Sequence, residues 1–295
     1  TQIDTLALFQ YKDQSVLNTN DCPFELAEST IIKNNLNQIG VDVLCVGYGG
    51  AGPFPQCFGF DNIADQKFAA EGKKIQFLKK AIEYIELVKP RAYVPFAGTY
   101  VLGSRLSNLT ELRGVPSVEE ALGFLSKHVP GYAQGVCLGQ FDSLDVESLE
   151  TCTAPKSYKK SYEEYLIDIS KRSFPYDSDE WNEDELPDLI VQAFERFNEK
   201  AKQIGFTSET TLVIQSEKII FNLRVNGQSK ILNEMDAVSE PFVKIAVDHN
   251  LLHRLLRGPR FAHWNNAEIG SHLFFVRKPD YFERGLYHCL CFLHS

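Results

Sequence analysis

The sequence predicts an α/β fold followed by an α+β extension, and three observations carry that reading. Residues 41–47 (Val41-Asp42-Val43-Leu44-Cys45-Val46-Gly47) are near-continuously apolar, as a strand buried on both faces requires. Residues 71–88 place Ile75, Leu78, Ile82, Ile85 and Val88 on one helical stripe. Further on, strand patterns at 210–224 and 228–233 flank Asn226-Gly227, a strong hairpin signal. The division falls near residue 150, with an α/β domain over 1–150 and an α+β domain over 151–295.

The elements follow in order. Residues 5–10 and 14–19 alternate as two strands around a polar turn at Lys12-Asp13, with Phe9 and Tyr11 on one face and Leu6 and Leu8 on the other. Residues 25–38 carry Leu26, Ile31, Ile32 and Leu36 at helical spacing, and Gly40 stops the helix. A Gly- and Pro-rich loop runs from Tyr48 to Cys57 after the 41–47 strand. Pro90 ends the 71–88 helix, and 91–95 form a short strand. Ser117-Val118-Glu119-Glu120 is a capping box that opens a helix to about His128.

From 154 to 187 the composition turns to Lys, Tyr, Ser and acid. Asp177, Asp179, Glu180, Glu183, Asp184 and Glu185 crowd this stretch, which reads as a solvated linker or helix start. A calcium loop lacks the EF-hand spacing. An amphipathic helix spans 186–204, 242–247 form an apolar strand, and 248–257 form a helix stopped by Gly258-Pro259.

Composition excludes several classes. The 295 residues are 44% hydrophobic and 23% charged, ordinary for a globular chain. A net charge of −9 without clustered Lys or Arg predicts no nucleic-acid partner. No apolar run reaches the roughly 18 residues of a membrane span. Thr1-Gln2-Ile3-Asp4 has no signal-peptide pattern, and Met235 is the only methionine, so the chain reads as cut or processed. Seven scattered cysteines (Cys22, Cys45, Cys57, Cys137, Cys152, Cys289, Cys291) predict a reduced, cytoplasmic protein.

Asp21 stands first among candidate functional residues. The stretch Ser15–Cys22 reads as a short apolar strand that delivers it to the C-terminal tip, where a carboxylate can bridge two metal ions. The alternative is an Asx-type cap for the helix beginning near Glu25. In the loop Gly49-Gly50-Ala51-Gly52-Pro53-Phe54, glycines let backbone N–H groups approach an anion or substrate, or simply make a tight connection. His249 and His253 share a helix face at i, i+4, where with Asp248 they form a mixed metal site or else pack structurally. His263-Trp264-Asn265-Asn266 offers imidazole, indole and amide groups to a sugar or nucleotide, or builds a structural corner. Cys289 and Cys291 read as core. Thr1 is a nucleophile only if processing exposes it, and no Rieske cysteine–histidine pattern is present.

Three stretches also resemble a known family: Leu17-Asn18-Thr19-Asn20-Asp21-Cys22, the loop from Gly47 to Phe54, and Pro90-Arg91-Ala92-Tyr93-Val94-Pro95-Phe96-Ala97-Gly98-Thr99-Tyr100. They are similar to the second half of the metallo-β-lactamase fold, nearest to the hydrolase-like domain of CMP-N-acetylneuraminate hydroxylase. The likeness runs from about residue 4 to 105. It implies a partial αββα sandwich, with Asp21 as a catalytic metal ligand for zinc or iron. It also implies a small-molecule substrate held by Tyr48, Gly49, Gly50, Gly52, Phe54, Phe96 and Tyr100, with His263 and Trp264 as further family features. The family's His-x-His-x-Asp-His motif does not occur in this sequence. The resemblance therefore implies that the missing N-terminal half is supplied as a separate segment. The reaction expected is attack of a metal-activated water on an ester, phosphoester or amide. The alternatives are a ligand- or lipid-binding module built on 210–233 and 242–247, and a monooxygenase component.

Overall fold

The computed structural model describes residues 5–36, 40–155, 161–225, 227, 229–232 and 238–295. Asn226, at the expected hairpin turn, and the end of the 25–38 helix lie outside the described residues. The chain is mixed α/β and divides into two compact units. The first comprises 1–50, 67–101 and 114–167, and the second 51–66, 102–113 and 168–295.

The first unit is built on a five-stranded sheet in the order β1-β2-β3-β4-β5. Strands β1 (Ala7–Tyr11) and β2 (Gln14–Asn18) form an antiparallel hairpin, with Lys12 at positive φ in its turn. Strands β3 (Val43–Gly47), β4 (Ala92–Phe96) and β5 (Gln134–Gly135) then add in parallel. Helices α1 (Phe24–Lys33), α2 (Ile63–Val88) and α3 (Val118–His128) make the crossovers between them. Helix α2 starts eight residues before the expected 71, because Ile63 and Phe68 are exposed and leave no buried stripe to read there.

The two faces of this sheet differ. Leu17, Leu44, Val46 and Tyr93 pack with Ala27, Ile31, Ala81, Ile85 and Leu125 of the three helices. The opposite face carries Val43, Ala92 and Val94 against Leu138, Leu144, Val146 and Leu149, close to the small hairpin of β6 (Ser143–Leu144) and β7 (Thr151–Cys152). Toward the hairpin edge that face is thinly covered: Phe9 is 62% and Tyr11 70% exposed.

The second unit holds a sheet of order β10-β9-β8-β11-β12. Helix α4 (Tyr162–Ser170) precedes it, and helix α5 (Leu186–Gln203) buries Ile190, Ala193, Phe194 and Phe197 in the unit's core. The expected strand over 210–224 is in fact two, β8 (Thr211–Gln215) and β9 (Ile220–Leu223), paired antiparallel. The turn between them closes where the Ser216 N–H donates to the Ile219 carbonyl. Strand β10 (Lys230–Leu232) lies outside β9. Strand β11 (Phe242–Val247) joins β8 in parallel and leads into helix α6 (His249–Leu256). After the short helix α7 (Trp264–Ile269), β12 (Leu273–Lys278) returns antiparallel to β11. Helix α8 (Arg284–Leu290) closes the core with Leu286, Tyr287 and Leu290 packed near Leu212, Val243 and Ile245. No helix among the described residues is long and apolar enough to cross a membrane.

Candidate functional site

The carboxyl ends of β2, β3 and β4 form one edge of the first unit's sheet, the position at which open parallel sheets receive ligands. The Leu17–Cys22 motif builds its first corner residue by residue. Asn18 accepts the Asn20 N–H through its side-chain oxygen at 2.9 Å, an Asx turn. Asn20 sits at φ 44°, which Asn tolerates better than most residues. Thr19 donates both its N–H (3.1 Å) and its hydroxyl (3.2 Å) to the Cys45 carbonyl of β3. The Tyr84 hydroxyl of α2 donates to the Cys22 carbonyl. With Asn18, Thr19, Asn20 and Cys22 so engaged, Asp21 projects to the surface. Helix α1 begins after Pro23 with no side-chain cap, so Asp21 does not serve as its cap. No hydrogen bond or ion pair engages the Asp21 carboxylate among the described residues.

The second and third corners meet backbone to backbone. A Cβ on Gly49 would stand 2.6 Å from the Gly98 carbonyl oxygen, and one on Gly50 would press the Phe77 ring at 3.2 Å. These two glycines are needed for close approach, whatever they bind. Tyr48 is buried with its ring against Gly98, and its hydroxyl is paired with Thr99 Oγ1 at 2.8 Å. It braces the two loops from inside rather than lining a mouth. Burial pushes its phenol upward. Phe96 is exposed at the end of β4, and Tyr100 follows four residues on, half-buried.

The remaining expected site residues belong to the second unit. The Gly52 carbonyl accepts from the Gln56 amide, and Phe54 packs edge-on against Phe58. His263 caps α7, its Nδ1 accepting the Asn265 N–H at 3.1 Å. Trp264 is 1% exposed and donates its indole N–H to the Leu293 carbonyl at 2.7 Å. That ring is core, with no face left for a sugar or nucleotide. On the α8 side of the second sheet, the space among Leu212, Val243, Ile245, Leu286, Tyr287 and Leu290 is closed by packing.

The second unit holds a cluster that the sequence only half revealed. His249 and His253 lie on one face of α6, as their spacing implied, and their carboxylate partner is Glu183. Asp248, the expected partner, instead caps α6 through the N–H groups of Asn250 and Leu251 and pairs with Arg105 at 2.8 Å. His249 Nε2 is 2.8 Å and His253 Nε2 3.3 Å from Glu183 Oε2. His249 Nδ1 shares a hydrogen bond with Ser216 Oγ at 3.0 Å. The Trp181 ring stacks on His253 at an 8° interplanar angle, and the Arg257 guanidinium covers Trp181. The Lys218 ammonium, 2.7 Å from Oε1, holds the Glu183 carboxyl down at about 2, helped by the two imidazoles and opposed by partial burial. Burial pushes His253 below its ordinary value, against the pull of Glu183.

Of the two readings of the acidic run, the structure shows the helix start: Glu183–Glu185 form a 3-10 turn that leads directly into α5. Asp177 pairs with Arg105, Asp179 with Arg254, Glu183 with Lys218 and Glu185 with Arg257. Its partners come from residues up to 75 positions away, so local composition carried no trace of them. Comparison with family models, with curated proteins and with solved structures returns no match.

Proposed function

We propose that this chain is the C-terminal portion of a metal-dependent hydrolase of the metallo-β-lactamase type. The observation that supports it most is the disposition of Asp21: an exposed carboxylate, unengaged among the described residues, held at the carboxyl edge of parallel strands by a turn that Asn18, Thr19 and Cys22 tie down. A sheet with helices on one face and thinly covered apolar side chains at one end of the other is also what half of an αββα sandwich presents.

A single carboxylate does not hold zinc or iron, so this reading requires further ligands beside Asp21. A bound metal would supply an activated water for attack on an ester, phosphoester or amide, with Asp21 among the residues that would hold it. Asp21 contributes a ligand oxygen. The packed loops at Gly49 and Gly50 bring backbone close to that edge, and Phe96 offers an apolar wall.

The test is kinetic. The protein as encoded, including any segment preceding Thr1, is assayed on p-nitrophenyl esters and phosphodiesters with added zinc, iron or manganese. Metal-dependent turnover that falls on the order of 100-fold or more in Asp21→Ala, with the fold retained, supports the proposal. Turnover indifferent to that substitution, or to metal, refutes it.

A further inference from the structure

We propose that Glu183, His249 and His253 form a divalent transition-metal site of the zinc class in the second unit, independent of Asp21. Three features point there. One ligand atom from each residue lies within 4.8 Å of the other two, so a single ion can reach all three. Both Nε2 atoms aim at the same carboxylate oxygen from successive turns of one helix. The imidazoles are almost fully enclosed, His249 at 3% and His253 at 0% side-chain exposure. Enclosing two imidazoles is costly, and a single long hydrogen bond is a small return for His253, whose buried Nδ1 has no partner among the described residues. A shared metal bond is a larger one.

The donor chemistry selects the ion. Two imidazole nitrogens and one carboxylate oxygen suit zinc, and sites with three protein ligands keep a fourth position for water. Glu183 is 46% exposed, so the site opens to solvent on its carboxylate side. Ser216 acts as a positioning residue: its hydroxyl meets His249 Nδ1 and so orients Nε2 toward the ion. Ser216 also lines a cleft of about 360 Å³ with Arg105, Tyr176, Asp248 and His272, all within the second unit. Lys218, exposed and bonded to Glu183 Oε1, is the built-in competitor. An arriving cation displaces it from the carboxylate.

The test titrates the 295-residue chain, freed of metal by a chelator, with Zn²⁺ alone, and repeats the titration with Co²⁺ to record its visible spectrum. The expected result is a tight Zn²⁺ equivalent that Glu183→Gln and His253→Gln each abolish, and a tetrahedral Co²⁺ band lost in the same variants. Ser216→Ala should weaken binding by about 10- to 100-fold, and Lys218→Met should strengthen it. Glu183 is half exposed, so its variant decides the matter even where His253→Gln fails to fold. Asp21→Ala should leave this equivalent untouched, which separates it from the hydrolase proposal. Absence of tight binding, or binding unchanged in Glu183→Gln, overturns the inference.

Discussion

At the residue scale, Asp21 and Trp264 illustrate opposite fates of residues that looked alike in sequence. Each stands beside a turn and each was a candidate for ligand recognition. Asp21 is exposed and caps nothing, so Asp21→Ala should shift the thermal midpoint by no more than about 1–2 °C, since exposed sites rarely exceed about 0.5 kcal/mol. A loss of several degrees would mean that the carboxylate is structural. Trp264 fills the core and donates to Leu293, so Trp264→Ala should cost about 3–5 kcal/mol in denaturant unfolding. Near-neutral behaviour would show that the ring faces solvent. The polar pattern Asn18-Thr19-Asn20-Asp21 was legible because its bonds are local or reach only the next strand. The sequence leaves Trp264 open between a ligand contact and a structural corner, because its partner carbonyl lies 29 residues away, beyond any local motif.

At the element scale, legibility follows the range of the forces involved. Helix α3 was visible in full. Its capping box is a local device, with Glu120 N–H donating to Ser117 Oγ at 3.1 Å and Ser117 N–H donating to Glu120 Oε2 at 2.7 Å. Ser117→Ala should therefore cost about 1 kcal/mol, read as a lower denaturation midpoint. An unchanged midpoint would show that tertiary packing alone holds that end. Strand β3 was visible because burial on both faces leaves a continuous apolar run. The β8–β9 turn was not, because Ser216-Glu217-Lys218 interrupts two strands without Gly or Pro. The same turn supplies Ser216 to His249 and Lys218 to Glu183, so missing it concealed part of the histidine cluster. Glu183 itself stands 66 positions before His249 and could not be paired with it by spacing.

At the scale of the whole molecule, stability should depend on pH through two histidines, His253 buried and His272 half-buried. Burial pushes both His253 and His272 below the ordinary value of 6.5. The unfolded chain then takes up their protons before the folded one does, so stability is full above about pH 6.5 and falls as pH drops through and below it. Glu183 contributes separately: its depressed carboxyl favours the folded state above about pH 4.5, and that share fades as pH falls toward about 2. Denaturant midpoints should therefore be lower at about pH 5.5 than at about pH 7.5. A midpoint that holds or rises on acidification would contradict the neutral state of these rings in the folded chain. Zinc acts on the same balance. At free zinc about 100 times its dissociation constant, mass action adds about 2.7 kcal/mol to the folded state, and Glu183→Gln should remove that gain.

In the proposed function Asp21 is a metal ligand rather than a turn residue. That role is tested most directly by metal content in a Glu183→Gln background, which removes the histidine cluster from the count. In the protein as encoded, with any segment before Thr1, that variant should retain bound zinc or iron, and adding Asp21→Ala should remove it together with metal-dependent hydrolysis. Metal content and turnover identical with and without the Asp21 carboxylate would contradict the account.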